Sequence, residues 1–302
     1  MRGSALASLA VLVACAHQGG GKLALPSAWD DRRLESALTG AHARSVLAVL
    51  PFETGALGSQ PELRIADMLT TELVRSGRVV LVEREKIDKI LDEQRFRLTG
   101  AVDDASKAAE VGKLLGADAV VFGAVTSATQ QTSDHFAYDL TRTEVRLDAR
   151  AVDTTAGRLV FSEAGEGASE AKIIRSADGT LISGLRDTHE EFRKAAVNAT
   201  APLALRIGTL FPPLGFVVGN NGGELVTDLG AESGISVGDE LVVFRIGDKL
   251  VHPVTHQWLG YQKRLLDVLV VRAVEKQRSI VARRHVSADA LQAGDVVVLV
   301  AP

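Results

Sequence analysis

The sequence predicts an α/β domain, a mixed sheet flanked by helices, followed by a small all-β domain of barrel-like form. Three observations carry this. Short apolar runs alternate with segments of helical period up to about residue 125; a segment of period two follows; and after Pro212-Pro213 helical periodicity gives way to short strands spaced by glycines. At 302 residues the chain is long enough for two domains. Aromatic residues make up only 4% of it, so both cores must be built from small and branched aliphatic side chains.

Val46 to Leu50 is wholly apolar and closed by Pro51, as a strand covered on both faces would be. Ile65, Met68, Leu69 and Leu73 recur at helical spacing among charges, and Ser76-Gly77 ends that helix. Val79 to Val82 reads as a second strand and Glu83 to Phe96 as a second helix, with Ile87, Ile90 and Leu91 inward. A third helix from about Asp104 to Leu115 leads through Gly116 into the strand Ala119 to Val125. Asp103-Asp104 reads as acidic chemistry at a helix start, favoured by the helix dipole. From Thr143 to Ala151 apolar or small residues alternate with Glu144, Arg146, Asp148 and Arg150, which predicts one dry and one solvated face. Turn residues 153 to 157 and Leu159 to Phe161 make a hairpin of it, and a last helix, near Asp187 to Ile207, closes the domain.

The N-terminus addresses location. Arg2 precedes an apolar run, Ala5 to Val13, that is too short to span a bilayer as a mature helix and reads as an export signal. Leu12-Val13-Ala14-Cys15 resembles the lipobox at which the signal is cut and the cysteine acylated. Cys15 is the only cysteine, so it has no internal disulfide partner. Ala16, not Asp, follows it, which by the usual sorting rule favours the outer membrane. The expected organisation is therefore a signal peptide (1–14), a flexible tether (15–45), the α/β domain (46–211) and the β domain (212–302). Gly19-Gly20-Gly21-Lys22 opens the tether and lacks the spacing of a phosphate-binding loop.

Five segments, VLAVLPF (46–52), ADMLTTELVRSG (66–77), VEREKIDKILDEQ (82–94), GKLLGAD (112–118) and AVDTTAGRL (151–159), resemble the curli assembly/transport component CsgG family in order as well as in wording. The resemblance covers roughly residues 46 to 210. It implies a lipid-anchored periplasmic domain, and in the family's founding member a ring-shaped outer-membrane channel for curli subunits. Residues 225–245 and 251–260 resemble the C-terminal domain of the flagellar assembly protein FlgT, whose family belongs to a periplasmic flagellar ring.

A channel of that kind needs hairpins whose strands, each about 9–11 residues long, carry an apolar row toward lipid. The candidates are Val125 to Leu140 and Ser162 to Arg186. Phe136, Tyr138 and Leu140 alternate weakly in the first, whereas Glu166, Glu170, Lys172, Arg175 and Asp178 interrupt the second. Glu53 to Pro61 also lacks the aromatic and amide residues that line the constriction of the curli channel.

In the β domain, strands are expected at Phe216 to Val218, Glu224 to Leu229, Glu240 to Arg245, Leu265 to Val274, Ile280 to Arg284 and Val296 to Val300, two of them launched by Gly238-Asp239 and Gly294-Asp295. Gly234-Ile235-Ser236-Val237-Gly238 matches a serine-hydrolase elbow, with His252, His256 and His285 downstream, but it leads into a strand where an elbow leads into a helix. His252 and His256 have a separation seen in zinc sites, yet Pro253 and a hairpin turn oppose a shared helical face.

A net charge of −4 supplies no basic footprint for nucleic acid. The reading is thus a non-enzymatic outer-membrane lipoprotein on the periplasmic side, with no catalytic, metal or cofactor residues. It forms a homo-oligomeric ring and serves secreted or appendage proteins in a secretion or assembly apparatus. The alternative is a scaffold lipoprotein of a flagellar or cell-wall complex, without a pore.

Overall fold

The computed structural model describes residues 31–38, 44–54, 64–93, 105–135, 138–174, 188–221, 224–284 and 290–300. In the first domain β1 (Ser45–Val49) lies between β2 (Val79–Leu81) and β3 (Ala119–His135), parallel to both. β4 (Tyr138–Asp153) and β5 (Arg158–Ile174) extend the sheet antiparallel, giving the order β2-β1-β3-β4-β5. This is the mixed sheet that the sequence predicts.

Strand alternation explains the layers. Leu47, Val49, Ala119 and Val121 face one way, toward α2 (Ile65–Ser76) and α5 (Thr188–Leu210). Ala48, Leu50, Val120 and Phe122 face the other, toward α3 (Arg84–Glu93) and α4 (Ala105–Leu115). The apolar run at β1 is continuous because both of its faces are dry. α2 stops where Gly77 takes a left-handed φ of 67° and donates its N–H to Val74.

β3, β4 and β5 run 17, 16 and 17 residues, so at about 3.3 Å per residue the hairpins reach roughly 55 Å. β1 pairs with only the first part of β3, up to Val121, with one further bridge at Glu53 and Ala124. Beyond the bulge between Val125 and Ser127 the three long strands continue as a ribbon, covered on one side by α5. The sequence reading stopped β3 at Val125 because Ser127 to His135 is polar. Those residues stay in the strand because β4 supplies a complete antiparallel ladder out to Tyr138.

The second domain is a closed six-stranded barrel. Its strands are β6 (Leu214–Asn221), β7 (Glu224–Thr227), β8 (Glu240–Val251), β9 (Trp258–Val274), β10 (Ser279–Arg283) and β11 (Val296–Leu299), in the order β10-β7-β6-β11-β8-β9. Val217, Leu241, Val243, Leu269, Val271 and Val297 fill its centre. All six predicted strands are present, with β8 and β9 longer than expected because they form one extended hairpin.

The flexible tether expected to run to Arg44 is interrupted. Asp31–Leu38 forms a helix, α1, and Leu34 is fully buried against Leu214, Val242, Phe244, Val296 and Val298 on the outside of the barrel. Eight residues are too few for a stable isolated helix, so this docking supplies what local propensity does not. Lys249 pairs with Glu35 at 2.7 Å, Lys263 with Asp31, and Arg33 donates to the carbonyl of Pro212 at 2.8 Å. Cys15 and Asp103-Asp104 lie outside the described residues.

Candidate functional site

Three surfaces are built well enough to be read chemically. The first is the ribbon. Cross-strand partners share a face, so Ser127, Thr129 and Gln131 join Arg146, Glu144 and Arg142, and these join Glu166, Ala168 and Glu170. Arg142 reaches Glu144 at 2.7 Å and Glu170 at 3.4 Å, and Arg146 reaches Glu166 at 3.5 Å. The charges predicted to lie on a solvated face do lie on one, and they neutralise one another along it.

The opposite face of the ribbon turns from apolar to hydroxylic with distance from the core. Gln130 donates to Thr143 at 2.9 Å, Thr132 and Thr141 hydrogen-bond at 3.0 Å, and both Thr141 and Thr143 are buried. α5 seals this side through small residues. A Cβ on Gly165 or Gly167 would run into the helix backbone at Ala199 or at Ala195. Asn198 donates to the β5 carbonyl of Ala168 at 2.9 Å, and Ser169 donates to Glu191. The Ser169 hydroxyl, and then Lys194 at 2.9 Å, hold the nearly buried Glu191 carboxyl below its ordinary range against the opposing effect of burial. At the far end Tyr138 stacks on His135 at 4.6 Å and lies under the Lys172 ammonium at 3.8 Å.

The candidate membrane hairpins fall on this ribbon. From Arg142 to Arg146 one face is charged and the other carries Thr and Gln, so neither offers the unbroken apolar row that a lipid-facing strand needs. Phe136, Ala137 and residues 175–187 lie outside the described residues. Among the described residues no helix is long and apolar enough to cross a membrane.

The second surface is a groove of about 470 Å³ beyond the C-terminal end of β1, lined by Pro51, Phe52, Arg64, Ile65, Asp67, Arg84 and Asp88 among others. Open α/β sheets bind ligands at such ends. Here Arg84 is already engaged by Asp88 at 3.0 Å and by Asp67 at 3.2 Å, and the four charges balance.

Residues 59–205, just under half of the chain, match the family model described as curli production assembly/transport component CsgG. Over that stretch the α/β body is similar to the CsgG family. No curated protein matches the chain. Among solved structures, the chain is similar to the lipoprotein GNA1162 of Neisseria meningitidis, 16% identical, with 42% of this chain and 84% of that one covered and a TM-score of 0.33. The C-terminal domain of LpoB from Salmonella enterica is 18% identical over 45% of this chain and 93% of that one, at a TM-score of 0.29. A PelC dodecamer from Paraburkholderia phytofirmans is 15% identical over 54% and 87%, at 0.30.

The third surface joins the α/β domain to the barrel. Gly77, at the end of α2, abuts Gly234, which has its own left-handed φ of 71°. Arg44 donates to the carbonyls of Gly77 at 3.2 Å and Glu232 at 2.8 Å, clasping both. Hydrogen bonds from Gln277, then from Lys276, hold the Glu232 carboxyl low.

Ser236 belongs to a turn used twice. In Ser236-Val237-Gly238-Asp239 the Asp carboxylate accepts the Ser236 N–H at 2.8 Å, and Gly238 has φ 95°. In Gln292-Ala293-Gly294-Asp295 the carboxylate accepts the Gln292 N–H at 2.8 Å, and Gly294 has φ 93°. Glutamine fills the serine's place in the second copy, so the turn needs the backbone N–H and not the hydroxyl. Residues 231–233, before Ser236, form a short 3₁₀ turn, and β8 follows it; the strand-to-helix setting of a hydrolase elbow is not there. His252 Nδ1 accepts the N–H groups of Val254 at 3.2 Å and Thr255 at 3.1 Å, so one nitrogen of that candidate zinc pair already closes its own hairpin turn. His285 lies outside the described residues.

Sequence reasoning missed the docking of α1 and the clasp by Arg44. Leu34, Ala37 and Leu38 at helical spacing were the available signal for the first. The second rests on backbone carbonyls, which leave no signature.

Proposed function

We propose that this chain is a lipoprotein acylated at Cys15, held at the periplasmic face of the outer membrane, and a non-enzymatic component of an envelope secretion or assembly apparatus. The observation that carries this is a CsgG-family domain downstream of a lipobox-like Leu12-Val13-Ala14-Cys15 in a chain with one cysteine. The family resemblance supports a homo-oligomeric ring. The barrel, which resembles the FlgT C-terminal domain, serves as the module that meets secreted or appendage proteins.

The tethered, non-spanning form of this role is the better supported one. Among the described residues, paired charges on one face of the ribbon and a tightly seated α5 on the other leave no lipid-facing row of the kind the channel of the founding member needs. Palmitate labelling with membrane fractionation tests the anchor. Wild type labels and sediments with outer membrane, Cys15→Ala does neither, and equal behaviour of the two overturns the reading. Light scattering and negative-stain images of detergent-extracted protein test the ring, which a clean monomer would refute. Conductance in a planar bilayer by folded protein would restore the pore.

A further inference from the structure

The hairpin between β8 and β9 projects from the barrel with an unusual surface. Leu250, Val251, Val254 and Leu259 sit within ten residues of one another and are 45%, 50%, 79% and 58% exposed. Val251 pairs with Trp258 and Leu250 with Gly260, so the four converge on one tip. Trp258 packs edge-on against Tyr261 at 5.9 Å, placing two amphipathic rings at the base of that tip. Soluble surfaces rarely gather apolar side chains in this way without a partner.

The hairpin's own ionised side chains are all basic, and α1 balances two of them, Lys249 by Glu35 and Lys263 by Asp31. From Lys249 through Leu266 the sequence holds no Asp or Glu, although the chain as a whole has 38 of them and a net charge of −4. Lys249, Lys263, Arg264, His252 and His256 are the ionisable groups of that stretch besides Tyr261. Aliphatic residues at a tip with Trp and Tyr behind them is the order in which side chains partition at a lipid surface.

The end of the tether lies beside this tip. Asp31, the first residue of α1, accepts the N–H of Tyr261 at 3.1 Å. A Cβ on Gly260 would strike the Asp31 carboxylate, so the two chains are in direct contact. Sixteen residue steps separate Asp31 from Cys15, a reach of at most about 55 Å when fully extended. Any surface that holds Cys15 is therefore delivered to the hairpin at high effective concentration.

We propose that the tip of the β8–β9 hairpin is a lipid-binding surface that seats in the headgroup layer of the leaflet anchoring Cys15. It rests on the reading of Cys15 as acylated, and it makes the attachment two-point, acyl chains plus hairpin, so that the barrel faces the membrane in a fixed orientation. A second copy of the chain or a protein ligand at the tip is the competing outcome.

The test uses the mature chain carrying Cys15→Ser, which removes the anchor, and Trp29→Phe, which leaves Trp258 as the only tryptophan. Flotation with vesicles of phosphatidylethanolamine and phosphatidylglycerol, together with a blue shift of Trp258 emission, is the expected result. Val254→Asp with Leu259→Asp should cut flotation at least tenfold while the far-ultraviolet circular dichroism stays unchanged. Failure of the parent chain to float, or equal flotation of the double variant, overturns the proposal. So does light scattering that shows the parent to be a dimer that the two substitutions dissociate. Palmitate labelling of wild type reports on Cys15 separately, so a failed anchor and a failed hairpin give different patterns.

Discussion

Gly77 and Gly234 meet across the two domains with no room for a methyl group between them, each in a left-handed conformation that closes its own local element. The contact is backbone against backbone, so it fixes how the α/β domain and the barrel sit without using any apolar side chain. Gly234→Ala should cost about 1–2 kcal/mol from the positive φ alone. It should also separate the domains, which limited proteolysis at residues 211 to 214 would reveal; unchanged cleavage would mean the clasp does not hold them.

The paired turns at Asp239 and Asp295 predict an asymmetry. Asp295 is 3% exposed and also grips Arg245 through two bonds, at 2.7 and 2.8 Å. Asp295→Ala removes these two bonds and the turn bond to Gln292, while Arg245, a third exposed, keeps the Ala290 carbonyl, and the change should cost roughly 2–3 kcal/mol in urea unfolding. Asp239→Ala loses a turn bond only and should cost about 1 kcal/mol. Ser236→Ala should change stability by less than about 0.5 kcal/mol, and reaction of wild type with a fluorophosphonate probe, lost in that variant, would count against the turn reading.

The seat of α5 on β5 has no slack. Gly167→Val pushes Cβ into the helix backbone at Ala195, and overpacking of this kind costs about 1–3 kcal/mol or more. Ala168→Val, one residue away on the open face, should be nearly neutral. Equal losses in thermal unfolding would show that α5 does not cover the ribbon as described.

Glu191 gives the ribbon a dependence on pH. Its carboxyl lies below the ordinary value of 4.5, first because of Ser169 and then because of Lys194. A group whose folded value is depressed contributes stability above its unfolded value and loses it as pH falls through the folded one. Ser169→Ala should therefore lower Tm near pH 7, and the gap to wild type should close as the solution is taken below pH 4. A gap that stays constant down to pH 2 would remove Glu191 from the account.

Much of the fold was legible because the signal was local. The alternation from Thr143 to Ala151 placed β4, and the apolar run at β1 announced a strand covered on both faces. Lengths were less legible. Ser127 to His135 and Lys249 to Val251 are too polar or too exposed to read as strand, and only pairing with a neighbour holds them there. At the candidate surfaces, residue type sufficed for the charged face of the ribbon. The groove by Arg84, the Arg44 clasp and the Asp31 contact depend on chain segments remote in sequence, which no periodicity records.

Closure of the barrel has a bearing on how copies of this protein can grow into larger bodies. A closed barrel has no unpaired edge, so among the described residues strand addition is open to the α/β sheet alone, at three-residue β2 or along β5. Asn198 already occupies one outward carbonyl of β5. Backbone pairing between copies is thus confined, among the described residues, to the two rims of one sheet, of which β2 offers only three residues.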